Sequence, residues 1–204
     1  DREAYIEGAD VMLMLPDYFS FDFTEVFTKY HAKMAENNAL DFNDLLIKTV
    51  ELFRKAPHAL AELQHYWKYF MVDEYQDTNY SQYLIAKYLA SATRNICVVG
   101  DDDQSIYSWR GADIRNILNF EKDYENARSI TLGENYRSTK QILEAASTVI
   151  RNNENRKEKN VRASRGDGEP VVWCTTNNEY GEGEFVISTI QTLKSREAKK
   201  NKDF

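Results

Sequence analysis

The sequence predicts an α/β fold with mainly parallel strands. Two observations carry that expectation. Short apolar runs end abruptly in polar groups, as at residues 69–72 before Asp73 and residues 96–99 before Gly100, and stretches with helical apolar spacing separate one run from the next. A strand that reaches its neighbour only through an intervening helix returns in the same direction, so this alternation favours parallel pairing.

The elements follow in order. Residues 1–20 have no clear periodicity, although the apolar run 11–15 should be buried. From 21 to 38, Phe23, Val26, Phe27, Tyr30 and Met34 keep a helical spacing that stops at Asn37-Asn38. Asp41 reads as the N-cap of a new helix, with Asp44 three residues on; Leu45, Leu46, Val50 and Phe53 form the expected buried stripe, and Pro57 closes it. Residues 58–67 form a short helix leading into the strand at 69–72. Residues 80–89 are helical, with Tyr83, Leu84, Tyr88 and Leu89 inward. A strand at 96–99, a helix at 113–120 and a strand at 128–132 follow. Ser138 or Thr139 caps a helix over 139–152, which carries Ile142, Leu143, Ala146 and Val149. After the Gly166-Asp167-Gly168 turn come a strand at 171–174 and a last helix over 182–194.

Composition narrows the class. With 204 residues, 42% hydrophobic, 13% aromatic and only three prolines, the chain is core-forming and has room for one large or two small domains. No apolar run approaches the ~20 residues of a membrane span, and no signal peptide is visible, so a cytoplasmic protein without membrane contact is expected. Cys97 and Cys174 fall in expected strands and read as reduced core thiols. His31, His58 and His65 are scattered without metal-ligand spacing. The net charge of −7 argues against indiscriminate coating of nucleic acid but permits a local groove. Basic clusters occur at 151–165 and at Arg196, Lys199, Lys200 and Lys202; such runs are ordinarily solvated faces.

The chemistry concentrates just beyond the strands, where open α/β sheets place ligand-handling groups. The run Tyr69-Phe70-Met71-Val72 delivers Asp73 and Glu74 at its tip, the pattern of a Walker B element, in which the Asp holds Mg²⁺ through water and the Glu orients or deprotonates the attacking water. Taken alone, such a pair also serves to cap the next helix. The second run opens into Gly100-Asp101-Asp102-Asp103-Gln104-Ser105-Ile106-Tyr107-Ser108-Trp109-Arg110-Gly111-Ala112. Tyr107 and Trp109 alternate with Ile106 and Ser108, so both rings can project from one face of an extended loop. Exposed rings suit a single strand, because any base stacks on them; a core ring is the alternative for Trp109. Further on stands Glu134-Asn135-Tyr136-Arg137-Ser138-Thr139.

In this order and spacing, the three blocks resemble motifs II, III and IV of superfamily 1 DNA helicases of the UvrD/Rep/PcrA group. Asp102-Asp103 and Trp109 favour that group over nucleases with attached helicase motors. The resemblance implies partial RecA-like (P-loop NTPase) domains. Residues 1–38 would be the tail of a helical insert, 39–124 the C-terminal part of the first RecA-like domain and 125–204 the N-terminal part of the second. It implies an ATP-dependent helicase of 3′→5′ polarity, acting in DNA repair or replication on single-stranded DNA and duplex junctions, with repair proteins as candidate partners. ATP and Mg²⁺ are the implied cofactors, with Asp73 and Glu74 on the metal side and Glu74 as the base. Gln104 would sense the γ-phosphate or the water, and Gln76 and Asp77 would link the site to the DNA-binding part, with a turn or helix-capping role equally open for Asp77. Tyr136 would stack on the adenine and Arg137 reach the γ-phosphate. Tyr107, Trp109 and Arg110 would contact DNA. Asp101, Asp102 and Asp103 are too acidic a set for phosphate and are expected to cap backbone amides and orient neighbours.

The eight glycines form no G-x-x-x-x-G-K-[ST] phosphate loop. The chain therefore reads as the middle of a helicase that is inactive by itself and does not hold ATP and Mg²⁺ tightly. A non-catalytic module that binds single-stranded DNA or a partner is the alternative.

Overall fold

The computed structural model of the chain describes residues 23–153 and 156–204. The apolar run 11–15 lies outside them. The chain divides into two compact units: residues up to Thr131 together with Asn153–Lys159, and Leu132–Asn152 together with Asn160–Phe204.

The first unit begins with helix α1 (Phe23–Glu36), which ends at a left-handed Asn38 with φ 49°, the Ala39 N–H donating back to Met34 O. Helix α2 (Phe42–Lys55) starts with a complete capping box. The Asp41 carboxylate accepts from the N–H groups of Asn43 and Asp44, and Asp44 accepts from Asp41 N. Its buried face is Asp44, Ile47, Val50 and Phe53. Leu45, expected in that stripe, is about half exposed. At about 100° per residue it falls nearly opposite the centre of the buried face, where Ile47 takes its place. Helix α3 (Pro57–Tyr66) follows with proline in its first turn.

Strand β1 (Phe70–Val72), helix α4 (Tyr80–Ala90) and strand β2 (Ile96–Val98) come next. β1 and β2 pair in parallel, Phe70 opposite Ile96 and Val72 opposite Val98, as the alternation predicts. Helix α2 packs on α4, where Phe53 meets Tyr88 edge to face at 6.2 Å. The helix expected over 113–120 is two short ones, α5 (Arg115–Leu118) and α6 (Phe120–Asp123), broken at Asn119, whose ψ is 3°.

In the second unit, β3 (Glu134–Asn135) pairs in parallel with β4 (Arg162–Ala163); α7 (Lys140–Ile150) connects the two strands and packs on β4, and α8 (Glu179–Glu197) comes later in the chain. Several expectations fail in the two units. Neither 128–132 nor 171–174 is a strand: no ladder partner lies beside them among the described residues, and Ile130, Leu132, Val172 and Trp173 are exposed. Strand β4, which carries only one apolar residue, was not foreseen. Cys97 and Cys174 are free thiols but surface ones: Cys97 sits in β2 on its exposed face, and Cys174 lies outside any strand. Thr139 occupies the N-cap position of α7 without a side-chain cap bond.

Helices and short parallel sheets thus make a mixed α/β chain. No helix among the described residues is long and apolar enough to cross a membrane.

Candidate functional site

At the end of β1, the Asp73 Oδ1 accepts from Glu74 N at 2.9 Å, and Glu74 adopts the left-handed conformation with φ 49° and ψ 42°. A non-glycine residue there carries strain that the surroundings must hold. The neighbouring strand supplies the hold: Val99 N donates to Val72 O at 2.8 Å, and Tyr75 N to Val99 O at 3.0 Å. Tyr75 anchors the turn that follows; its ring is buried against Phe120, and burial pushes its phenol well above the ordinary range. Asp73 and Glu74 are both exposed and both line a cleft of about 460 Å³ beside α4.

Gln76 is the hub of the site. Its side chain is 1% exposed, donates through Nε2 to Glu74 Oε2 at 2.8 Å and accepts at Oε1 from Asp101 N at 3.0 Å. Its carbonyl accepts from Ser105 Oγ at 3.3 Å. The tip of β1 is thereby tied to the loop after β2. The approach is close enough that a Cβ on Gly100 would stand 2.5 Å from Gln76 Oε1, which explains a glycine at the start of the second block. The next residues of the turn tie down the far end of the same loop. Thr78 O accepts from Asp113 N and from Asn116 Nδ2, both at 3.0 Å, and Asn79 bridges to Ala112.

The three acids take the capping and orienting part expected of them, with partners that were not foreseen. Asp101 accepts from Asp103 N at 3.1 Å and from Gln104 Nε2 at 2.9 Å. Asp103 holds Arg156 through two bonds of 2.9 Å, Asp102 accepts from Lys157 N at 2.8 Å, and Lys159 Nζ contacts all three carboxylates. Burial pushes Asp101 up, but hydrogen bonds from Lys159 and Gln104 outweigh it and hold the carboxyl below its usual range. Hydrogen bonding from Arg156 does the same for Asp103. Part of the basic run 151–165 is therefore not a solvated face. The signal was present in the sequence as three clustered acids and a later group of Arg156, Lys157 and Lys159 of matching number.

Tyr107, Trp109 and Arg110 come together, though not on an extended loop. Residues Ser108–Arg110 form a 3₁₀ turn closed by Gly111 at φ 85°. Arg110 N and Ala112 N both donate to Tyr107 O. The turn sets the two ring centroids 6.3 Å apart and brings the Arg110 guanidinium to 5.5 Å from the Tyr107 centroid and 4.9 Å from that of Trp109. Trp109 is 74% exposed, which rules out the core-ring alternative in this unit.

Within the second unit, the Asn135 side chain accepts from Arg137 N at 3.0 Å and Ser138 N at 2.8 Å, making the turn that presents Tyr136 and Arg137 outward. Both side chains are exposed, and Arg165 fixes the backbone by donating to Arg137 O at 2.9 Å.

Asp73 and Glu74 suit a hard cation by donor type. Among the described residues no cluster of three or more His, Cys, Asp and Glu side chains could cage a metal. One or two carboxylates, completed by water and substrate phosphates, is the donor set Mg²⁺ accepts.

Residues 15–125 match the UvrD/REP helicase N-terminal domain, and residues 130–204 match the UvrD-like helicase C-terminal domain. The chain is 49% identical over 186 residues to the ATP-dependent DNA helicase PcrA of Bacillus subtilis, covering 91% of this chain and 25% of that protein. It is 48% identical over 195 residues to the protein of the same name from Staphylococcus aureus strain Mu50, covering 96% and 27%. To that of Leuconostoc citreum it is 46% identical over 180 residues, covering 88% and 24%. It thus spans about a quarter of the length of these relatives. With both helicase domain models matched in order, the chain belongs to the UvrD/REP helicase family.

Proposed function

We propose that these residues are the central part of an ATP-dependent DNA helicase that couples hydrolysis to 3′→5′ translocation on single-stranded DNA and to unwinding at duplex junctions. In this reading 39–124 and 125–204 are parts of two RecA-like domains, and 1–38 ends a helical insert. The observation that carries it is the hydrogen-bonded path from Glu74 through Gln76 to Asp101 and Ser105, and so to the loop bearing Tyr107, Trp109 and Arg110. An acid pair fit for nucleotide chemistry and a ring pair fit for stacking on bases then share one rigid support.

Each residue has a part consistent with its geometry. Asp73, whose Oδ2 has no partner among the described residues, would hold Mg²⁺ through water. A bound Mg²⁺ would supply positive charge to offset that of the nucleotide's phosphates. Glu74 orients the attacking water and takes its proton, held in place by the Gln76 amide. Gln104 offers an amide to that water or to the γ-phosphate. Tyr136 gives a face for the adenine, and Arg137 a guanidinium for phosphate charge. Trp109 and Tyr107 stack on bases while Arg110 contacts a phosphate.

The test is DNA-stimulated ATP hydrolysis and unwinding by the full-length protein. Glu74→Gln is expected to lower kcat by roughly 10²–10⁴-fold while single-strand affinity is retained. Activity unchanged by this substitution rejects the base. A full-length protein that binds single strands without hydrolysing ATP supports a non-catalytic module instead.

A further inference from the structure

We propose that Lys159 is a positioning residue for hydrolysis, holding the Asp101 carboxylate so that it orients the Gln104 amide; the proposal rests on the ATPase reading above. The chain passes from Asn153 to Lys159 within the first unit, although the residues on either side of that stretch belong to the second. Along it, three residues reach the acidic turn, and Lys159 Nζ touches all three of its carboxylates. Arg156 clasps Asp103, and the Lys157 N–H serves Asp102. Lys159 is the one cation paired with Asp101 among the described residues, and its side chain is 18% exposed.

Asp101 divides its two oxygens. Oδ1 takes Lys159 Nζ and the Asp103 N–H, and Oδ2 takes Gln104 Nε2 at 2.9 Å. A carboxylate only accepts hydrogen bonds, so the Gln104 amide must turn its nitrogen toward Asp101 and its oxygen away. Oε1 has no partner among the described residues and is free to accept from a water. Asp102 and Asp103 stand beside Asp101 with side chains only 5% and 9% exposed, so without Lys159 the Asp101 charge faces two neighbours of like sign. Its carboxylate then swings away or takes up a proton, and Gln104 loses the acceptor that sets its direction. Gln76, Asp101 and Lys159 thus act in series behind the two groups that meet the water.

The experiment uses the full-length protein with Lys159→Met, Lys159→Arg, Gln104→Ala and the Lys159→Met/Gln104→Ala double variant. Two readouts are taken: DNA-stimulated ATP hydrolysis, and hydrogen–deuterium exchange of the peptide covering 101–106 in ligand-free protein. Lys159→Met should lower kcat by roughly ten- to a hundredfold, with KM for ATP within about twofold, and should speed exchange at the 101–106 peptide. Lys159→Arg should recover most of the rate, and the double variant should be no slower than Gln104→Ala. Wild-type kcat in Lys159→Met, unchanged exchange, or losses that multiply in the double variant overturn the proposal. If Lys159→Met does not fold, Asp101→Asn tests the same link with shape preserved, and a wild-type kcat there overturns it equally. An unmodified protein without DNA-stimulated hydrolysis overturns the ATPase reading instead, and the exchange comparison still decides whether Lys159 holds the turn.

Discussion

Gln76 Nε2 lies 2.8 Å from Glu74 Oε2, so the carboxylate expected to act on water is braced by an amide that is itself out of solvent. The same amide accepts from Asp101 N, which makes it a rigid strut between the two loops. A side chain fixed at both ends gives a carboxylate a defined direction without neutralising its charge.

Replacing Gln76 therefore tests the strut. Gln76→Ala leaves the Asp101 N–H without its acceptor and should destabilise the protein by about 1–3 kcal/mol. Gln76→Glu keeps the acceptor but sets a second carboxylate against Glu74, and should lower kcat for hydrolysis as well. Denaturant midpoints and steady-state rates check both. A Gln76→Ala protein as stable as the parent refutes the bracing.

Gly100→Ala probes the close approach from the other side. The added methyl would lie 2.5 Å from Gln76 Oε1 and 3.1 Å from Tyr75 N, and neither atom can withdraw without breaking a hydrogen bond. A cost of about 1–3 kcal/mol is expected. Thermal unfolding measures it, and a neutral substitution contradicts the packing described.

The loop rings should report on DNA. Trp109→Ala is expected to weaken binding of a single-stranded oligonucleotide by about 1–3 kcal/mol. Arg110→Gln should weaken it too and reduce the slope of log affinity against log salt by about 0.7. Fluorescence titrations at several salt concentrations separate the two. Affinity unchanged in Trp109→Ala removes the stacking role.

Acid sensitivity follows from the carboxylate cluster. Asp101 and Asp103 titrate below the ordinary range when folded, so the unfolded chain binds more protons than the folded one as pH falls. Their contribution is complete above the unfolded value of about 3.9 and fades as pH drops through the lower folded values. Arg156→Met raises Asp103 toward its ordinary value, so the acid transition, followed by far-UV circular dichroism, should move to higher pH. An unmoved transition means that the Arg156 pair contributes nothing.

Much of this candidate site is legible in the sequence because the residues proposed for it stand in contiguous blocks. Asp73-Glu74, Gln104, Trp109 and Tyr136-Arg137 each follow an apolar run or a turn signal, and the Asp41 capping box needs only four neighbouring positions. Contacts distant in sequence were harder. Lys159 and Arg156 lie more than fifty positions from their carboxylates, and charge runs on their own carry no address. Strands depart from their expected places for a related reason. Residues 171–174 have the right composition but no ladder partner among the described residues, whereas Arg162–Ala163 has a partner and little apolar content. Pairing decides a strand, and single-sequence patterning does not display it. Alternation at Tyr107 and Trp109 predicts an extended loop, yet a tight turn also brings these neighbours together.

The backbone at Glu74 gives the strand tip a property that no choice of side chain could. An extended chain sends consecutive side chains to opposite faces of a sheet, so two adjacent acids would be divided between different compartments. One left-handed residue cancels that parity, and Asp73 and Glu74 open into the same cleft. Convergence of charge here is thus a matter of one residue's backbone conformation. The position is constrained twice over, by the carboxylate that the proposed role as base requires and by a twist that β-branched residues resist.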